Sequence, residues 1–246
     1  MKARLTPLEA AATIVHSSLP TVVTEGEDDY TAYRHIEESL VDLGVSLLPL
    51  SGRDVVLQVY RLIPAEFLQR TMFVVDQDNW IYVGIPEEVA VSNRIVTTSG
   101  YSVENDLARD GELDLLMTLG ERANFRAELD IVCKAHSVEV LKIQDGRKGN
   151  LATHVNRILN GQGTIWKSEE VCLETATALR ANYLTLIRGK TLFELLLRQL
   201  SYSQRRVKHS RGSLMEVAAA REGEMLTKIK EEIMSGFQQI EAEDVN

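Results

Sequence analysis

The chain has 246 residues, 44 % apolar and 26 % charged, with a formal net charge of −9. That fits an ordinary soluble protein with a real core, one large domain or a core domain carrying an extension. No run approaches the ~18 uninterrupted apolar residues of a membrane span, the first nine residues hold no apolar signal core, and two cysteines, Cys133 and Cys172, argue for a reducing cytoplasm over a disulfide framework.

In chain order, a helix is expected over 8–17, then a strand over 21–24. Tyr30, Tyr33, Ile36, Leu40 and Leu43 recur at helical spacing up to Gly44. A strand over 45–50 closes at Ser51-Gly52, a helix over 54–63 follows, and further strands are expected over 71–75 and 94–97. Strand alternating with helix implies an α/β fold with a mainly parallel sheet and right-handed crossovers, a Rossmann-like core. Past residue 110 the pattern turns helical, over 112–119, 122–135, 151–159 and 168–187, with 138–143 as the one later strand candidate. Thr191 is read as the cap of an apolar helix over 192–200. A last helix over 222–241 carries Leu226, Ile229, Ile233, Phe237 and Ile240 on one face, for the body or for a partner. The expected division is a core over 1–145 and a helical C-terminal portion over 146–246.

Two of the strands run into acids. Thr24 is followed by Glu25-Gly26-Glu27-Asp28-Asp29, and Val75 by Asp76-Gln77-Asp78. Carboxylates at the carboxyl ends of neighbouring strands converge on the crevice where open α/β sheets keep their chemistry. Crowded acids repel unless a cation sits among them, and magnesium takes oxygen ligands of this kind. Glu25, Asp29, Asp76, Asp78 and Glu104, which arrives in Tyr101-Ser102-Val103-Glu104-Asn105, are the candidate ligands for Mg2+ or Mn2+. Two ions would divide water activation and leaving-group stabilisation between them; one ion with Glu25 as general base would carry similar chemistry.

Glu25-Gly26 and Asp76-Gln77-Asp78 resemble the signature of the TOPRIM domain, shared by topoisomerases, bacterial primases and the overcoming-lysogenization-defect nucleases. The run Glu25–Asp29 with Tyr30 and Tyr33, then Val75–Asp78, Tyr101–Asn105 and Gly189-Lys190 before a leucine-rich helix, resembles a narrower group. This is the TOPRIM-like proteins of abortive-infection loci, among them the toxin subunits of PARIS anti-phage systems. Asn79 after Asp78 and Asp106 after Asn105 depart from that pattern. The resemblance implies a metal site of Glu25, Asp76 and Asp78 with Asp29 and Glu104 as auxiliaries, and Lys190 facing the scissile phosphate. It also implies tRNA cleavage, restraint by an ABC-type ATPase partner, and leaves room for a homodimer in the active state. A DNA endonuclease of the same class is the first alternative. The second is a non-catalytic module whose acids hold a structural ion while the basic segment docks a partner.

The charge is uneven. Residues 187–211 hold Arg188, Lys190, Arg198, Arg205, Arg206, Lys208 and Arg211 against one acid, Glu194. Arg188, Arg205, Arg206, Lys208 and Arg211, with Tyr202 nearby, are candidates to track a phosphate backbone, or to dock an acidic partner surface. Arg188-Gly189-Lys190-Thr191 resembles the end of a phosphate-binding loop, yet Leu184 stands where its first glycine belongs, so ATPase activity is expected of a partner. Cys133 and His136 lack a second ligand pair, which disfavours structural zinc.

Overall fold

Four short apolar runs pair in parallel: β1 (Thr21–Thr24), β2 (Ser46–Pro49), β3 (Thr71–Val75) and β4 (Ile95–Thr97), in the order β2-β1-β3-β4. The structure is a computed structural model and describes residues 5–26, 30–161, 171–221 and 223–243. The chain divides into two compact units, one of Met1–Asp76, Pro86–Thr98 and Ala219–Asn246, the other of Gln77–Ile85 and Ser99–Ala218.

The first unit holds the whole sheet. Every residue of β1 and β3 is buried, which is why these strands read as unbroken apolar and threonine runs rather than alternating ones. β2 is a half-buried edge strand, and an edge tolerates Pro49, which has no N–H for a further neighbour. Helices flank the sheet: α1 (Pro7–His16), α2 (Tyr30–Ser39), α3 (Arg53–Leu62), α4 (Ala65–Leu68), α6 (Glu87–Ala90) and the C-terminal α14 (Glu224–Glu243). Thr6 and Glu9 close a capping box on α1, and Pro7 stands at its first position. α3 packs on α1 and β3, and α2 on β2.

α14 packs on β3 and β4, so the apolar stripe at the chain's end is core of its own unit. Leu226, Ile229, Ile233 and Phe237 are buried. Arg94 Nη1 donates to the Gly236 carbonyl at 2.7 Å and ties the helix beside β4. The side chain of Ile240 lies outside the described residues.

The second unit is helical: α5 (Trp80–Val83), α7 (Val103–Asp110), a 3-10 turn (Leu113–Leu116), α8 (Leu119–Gln144), α9 (Val155–Leu159), α10 (Leu173–Ala181), α11 (Tyr183–Leu186), α12 (Gly189–Leu200) and α13 (Arg211–Ala219). Three local expectations are corrected. The segment 138–143 is no strand but the last part of α8. Residues from Ala135 to Val140 are all buried there, polar and apolar alike, so Val138 and Val140 reflect burial around a helix and not sheet pairing. The expected helix over 168–187 is broken at Asn182 into α10 and α11, and its first residues lie outside the described ones. Thr191 is not a cap: α12 begins at Gly189, and Thr191 is buried in its first turn.

Candidate functional site

Strand order places β1 between β2 and β3, so the chain leaves β1 toward one side of the sheet and returns on the other. The crevice at such a reversal lies beyond the carboxyl ends of the two central strands. Glu25 is the first residue after β1 and Asp76 the first after β3.

The pair register sets Val23 beside Phe73, and carried forward it puts Glu25 one step short of Asp76. The Glu25 side chain closes that step: the Asp76 N–H donates to Glu25 Oε1 at 2.7 Å. The Glu25 carbonyl in turn accepts from the Gly52 N–H at 2.7 Å, which joins the end of β1 to the turn after β2. Gly52 has a φ of +102°, a backbone setting that side chains avoid, and it delivers its N–H there before α3 starts. The next residue, Arg53, donates from Nη1 to the Asp76 carbonyl at 3.1 Å. Glu25 and Asp76 are both half-buried, at the open end of the sheet rather than in its core.

Arg53 was not among the residues expected at this site. The signal available was a cation directly after a strand-end Ser51-Gly52, which is too common to single out.

Glu27, Asp28 and Asp29 lie outside the described residues. Asp78 stands near the start of the second unit. Its φ of +47° ends the extended run, so the period-two rule for strand side chains does not apply to Asp76 and Asp78. Its N–H donates to the Tyr101 carbonyl at 2.7 Å, and the Tyr101 N–H donates to the Thr185 carbonyl at 2.8 Å.

Two other expected motifs meet within the second unit. Asn105 Nδ2 donates to the carbonyls of Leu184 and Ile187, each at 2.8 Å. Gly189 is pressed against the same loop: a Cβ there would stand 2.1 Å from Ser102 Oγ and 2.9 Å from Glu104 Cβ. Only a residue without a side chain lets α12 start against α7. Lys190 follows in the first turn and is exposed.

Glu104 is 4 % exposed. Its Oε2 accepts from Ser102 Oγ at 2.5 Å, and its Oε1 accepts from Arg211 Nη2 at 2.5 Å. Two residues singled out separately, as a metal auxiliary and a phosphate contact, are thus joined in one ion pair.

Arg205 is similarly engaged. It donates from Nε to Glu121 Oε1 at 2.9 Å, and from its terminal nitrogens to the carbonyls of Leu116 at 2.9 Å and Val207 at 2.6 Å. The Thr118 amide and the Arg205 guanidinium hold the Glu121 carboxyl below its usual range. Arg188 is half-exposed, while Arg206 and Lys208 are exposed.

Cys133 and His136 are buried on α8. Burial pushes the thiol up to about 12. Burial, helped by the Arg188 charge and opposed by Glu139, pulls the imidazole down to about 4. Neither ring nitrogen of His136 has a hydrogen-bond partner among the described residues.

Among the described residues no three His, Cys, Asp or Glu side chains gather closely enough to hold an ion by themselves. Magnesium is commonly held by only one or two carboxylates, with waters and substrate phosphate completing its shell. The hard oxygen donors at the ends of β1 and β3 fit that chemistry. No helix among the described residues is long and apolar enough to cross a membrane. A scan against protein-family models finds no match, and neither does a search of the curated proteins.

Proposed function

We propose that the protein is a metal-dependent phosphodiester hydrolase of the TOPRIM-like kind, a cytoplasmic nuclease of an abortive-infection system that cuts tRNA. The observation that carries this reading is the Asp76 N–H bound to the Glu25 carboxylate across the reversal point of a parallel sheet. The carboxylate of one strand-end acid meets the backbone of another, 51 residues away, at the place where such a sheet concentrates chemistry.

When bound, Mg2+ or Mn2+ supplies Lewis acidity and lowers the pKa of a bound water. Glu25 would hold the ion or accept a proton from the attacking water. The backbone amide of Asp76 holds the Glu25 carboxylate in place. Arg53, bonded to the Asp76 carbonyl, steadies the end of β3. Lys190 is the cation that the resemblance assigns to the scissile phosphate. The same resemblance supplies the ABC-type ATPase partner that restrains the toxin, and a homodimer with two active sites would suit a structured RNA. A non-catalytic module is the second reading; the Glu104–Arg211 pair takes one expected ligand and one expected phosphate contact into the architecture of the helical unit.

The test is direct. Purified wild type and Glu25→Gln are incubated with total tRNA and with plasmid DNA, in Mg2+, in Mn2+ and in chelator. tRNA fragments from the wild type alone, and only with metal, are the expected result. Cleavage confined to DNA replaces the substrate. If neither polymer is cut under any condition, the hydrolase reading fails and the binding module stands.

A further inference from the structure

The cations of residues 187–211 are not equivalent once folded. Arg198 is paired with Glu128, Arg205 with Glu121 and Arg211 with Glu104. Arg206 and Lys208 are exposed and have no ion-pair partner among the described residues.

Both stand on a loop between α12 and α13 that is closed at its base. The His209 N–H donates to the Leu200 carbonyl and to Ser201 Oγ, each at 3.2 Å. Ser201 Oγ donates to the His209 carbonyl in return. Arg205 pins the centre: its N–H closes a turn onto the Tyr202 carbonyl at 3.0 Å, and its guanidinium reaches Glu121 and the Val207 carbonyl. A surface loop with joined ends, held by its own side chains, is an Ω-loop, a form that is frequently functional. Its sequence from Ser201 to Ser210 holds no acid, and its one aromatic residue, Tyr202, is 43 % exposed. A merely solvated stretch has no need of such a pin.

We propose that this loop is the docking element for a single-stranded segment of RNA, with Arg206 and Lys208 on successive phosphates and Tyr202 stacking on an unpaired base. The choice of RNA rests on the nuclease reading above; the choice of a single strand rests on the exposed ring, because a base held in a duplex has no free face to offer. Arg205 is a positioning residue that keeps the loop in shape. Arg211 belongs to the Glu104 pair and not to the nucleic-acid surface.

The experiment measures binding of a fluorescein-labelled oligouridylate of about a dozen nucleotides and of total tRNA across a salt series. It uses the full chain in the Glu25→Gln background, so that cleavage does not intervene. Arg206→Gln with Lys208→Gln should weaken binding by at least about tenfold and lower the log–log salt slope by about 1.4, two contacts at ~0.7 each on a single strand. Tyr202→Ala should weaken oligouridylate binding about tenfold with the salt slope unchanged. All three side chains are exposed, and an unaltered thermal midpoint verifies that the fold is intact. Unchanged affinity and slope in the double variant overturn the proposal. So does a double variant that binds both RNAs normally but no longer binds polyglutamate, which would assign the loop to an acidic protein surface. RNA binding that depends on the loop, when the chain with Glu25 intact cuts nothing, supports the loop and sinks the nuclease. Loop variants made with Glu25 intact that still cleave and bind RNA with normal affinity do the reverse.

Discussion

Glu25 and Glu104 are both expected metal ligands, Glu25 directly after β1 and Glu104 seven residues after β4, yet the two units treat them in opposite ways. Glu25 follows β1 directly, half-buried at an open sheet end, and its carboxylate meets a backbone amide. Glu104 sits in the first turn of α7, 4 % exposed, with a hydroxyl on one oxygen and a guanidinium on the other. A half-buried carboxylate at a strand end keeps part of its exposure. A carboxylate inside a packed helix start must be neutralised on the spot, since an unpaired buried charge costs several kcal/mol. The first arrangement suits chemistry and the second suits architecture, and substitution separates them.

The largest expected effect is on activity. Glu25→Gln keeps an oxygen that can accept from the Asp76 N–H but removes the charge and the basicity. It should lower cleavage by about 10³-fold or more with little change in the denaturation midpoint. A stability loss as large as the activity loss would put Glu25 in the same class as Glu104.

Glu104→Ala should do the opposite. It removes the carboxylate to which Arg211 and Ser102 both donate and should cost about 3 kcal/mol, toward the low end for a buried pair because Arg211 keeps about a third of its exposure. Urea titration reads it directly. A loss below 1 kcal/mol would mean that water replaces the pair easily and that the helical unit is looser than its packing implies.

His136 gives the comparison a pH axis. Its folded pKa of about 4 lies below the ordinary 6.5, so as pH falls below 6.5 the unfolded chain takes up a proton that the folded one refuses. The neutral ring's contribution is therefore full above pH 6.5 and is lost on the way down to about 4. The expected loss is about 3 kcal/mol. His136→Leu should flatten that acid limb, and an unchanged limb would shift the cause to the carboxylates.

The smallest effect is steric. Gly189→Ala puts a methyl into the space of Ser102 Oγ and should cost about 2 kcal/mol, the overpacking penalty less the gain in helix propensity. A neutral or stabilising outcome would show that the α7 start can yield without disturbing Glu104.

Much of the sheet-bearing unit was legible because its signals are local. β1 and β3 fall on the expected residues: a strand buried on both faces is an apolar run with turn residues at its ends. The strand-end acids were visible for the same reason. In the helical unit the cue misled, since Val138, Val140, Leu141 and Ile143 suit a strand by residue type but belong to a helix buried on several faces. Thr191 likewise has the chemistry of a cap, but the helix starts three residues earlier than expected, at Gly189, where the chain presses against α7.

The sequence by itself therefore determined the parallel α/β core, the periodicity of the terminal helix and the presence of acids where two strands end. Only the tertiary structure decided which charges remain available. Arg205 finds Glu121 from 84 residues away, Arg211 finds Glu104 from 107, and Asp76 presents its amide to Glu25 from 51. Hydrogen bonding and burial act through space, so a cation's local neighbours in the chain say little about the acid that will neutralise it.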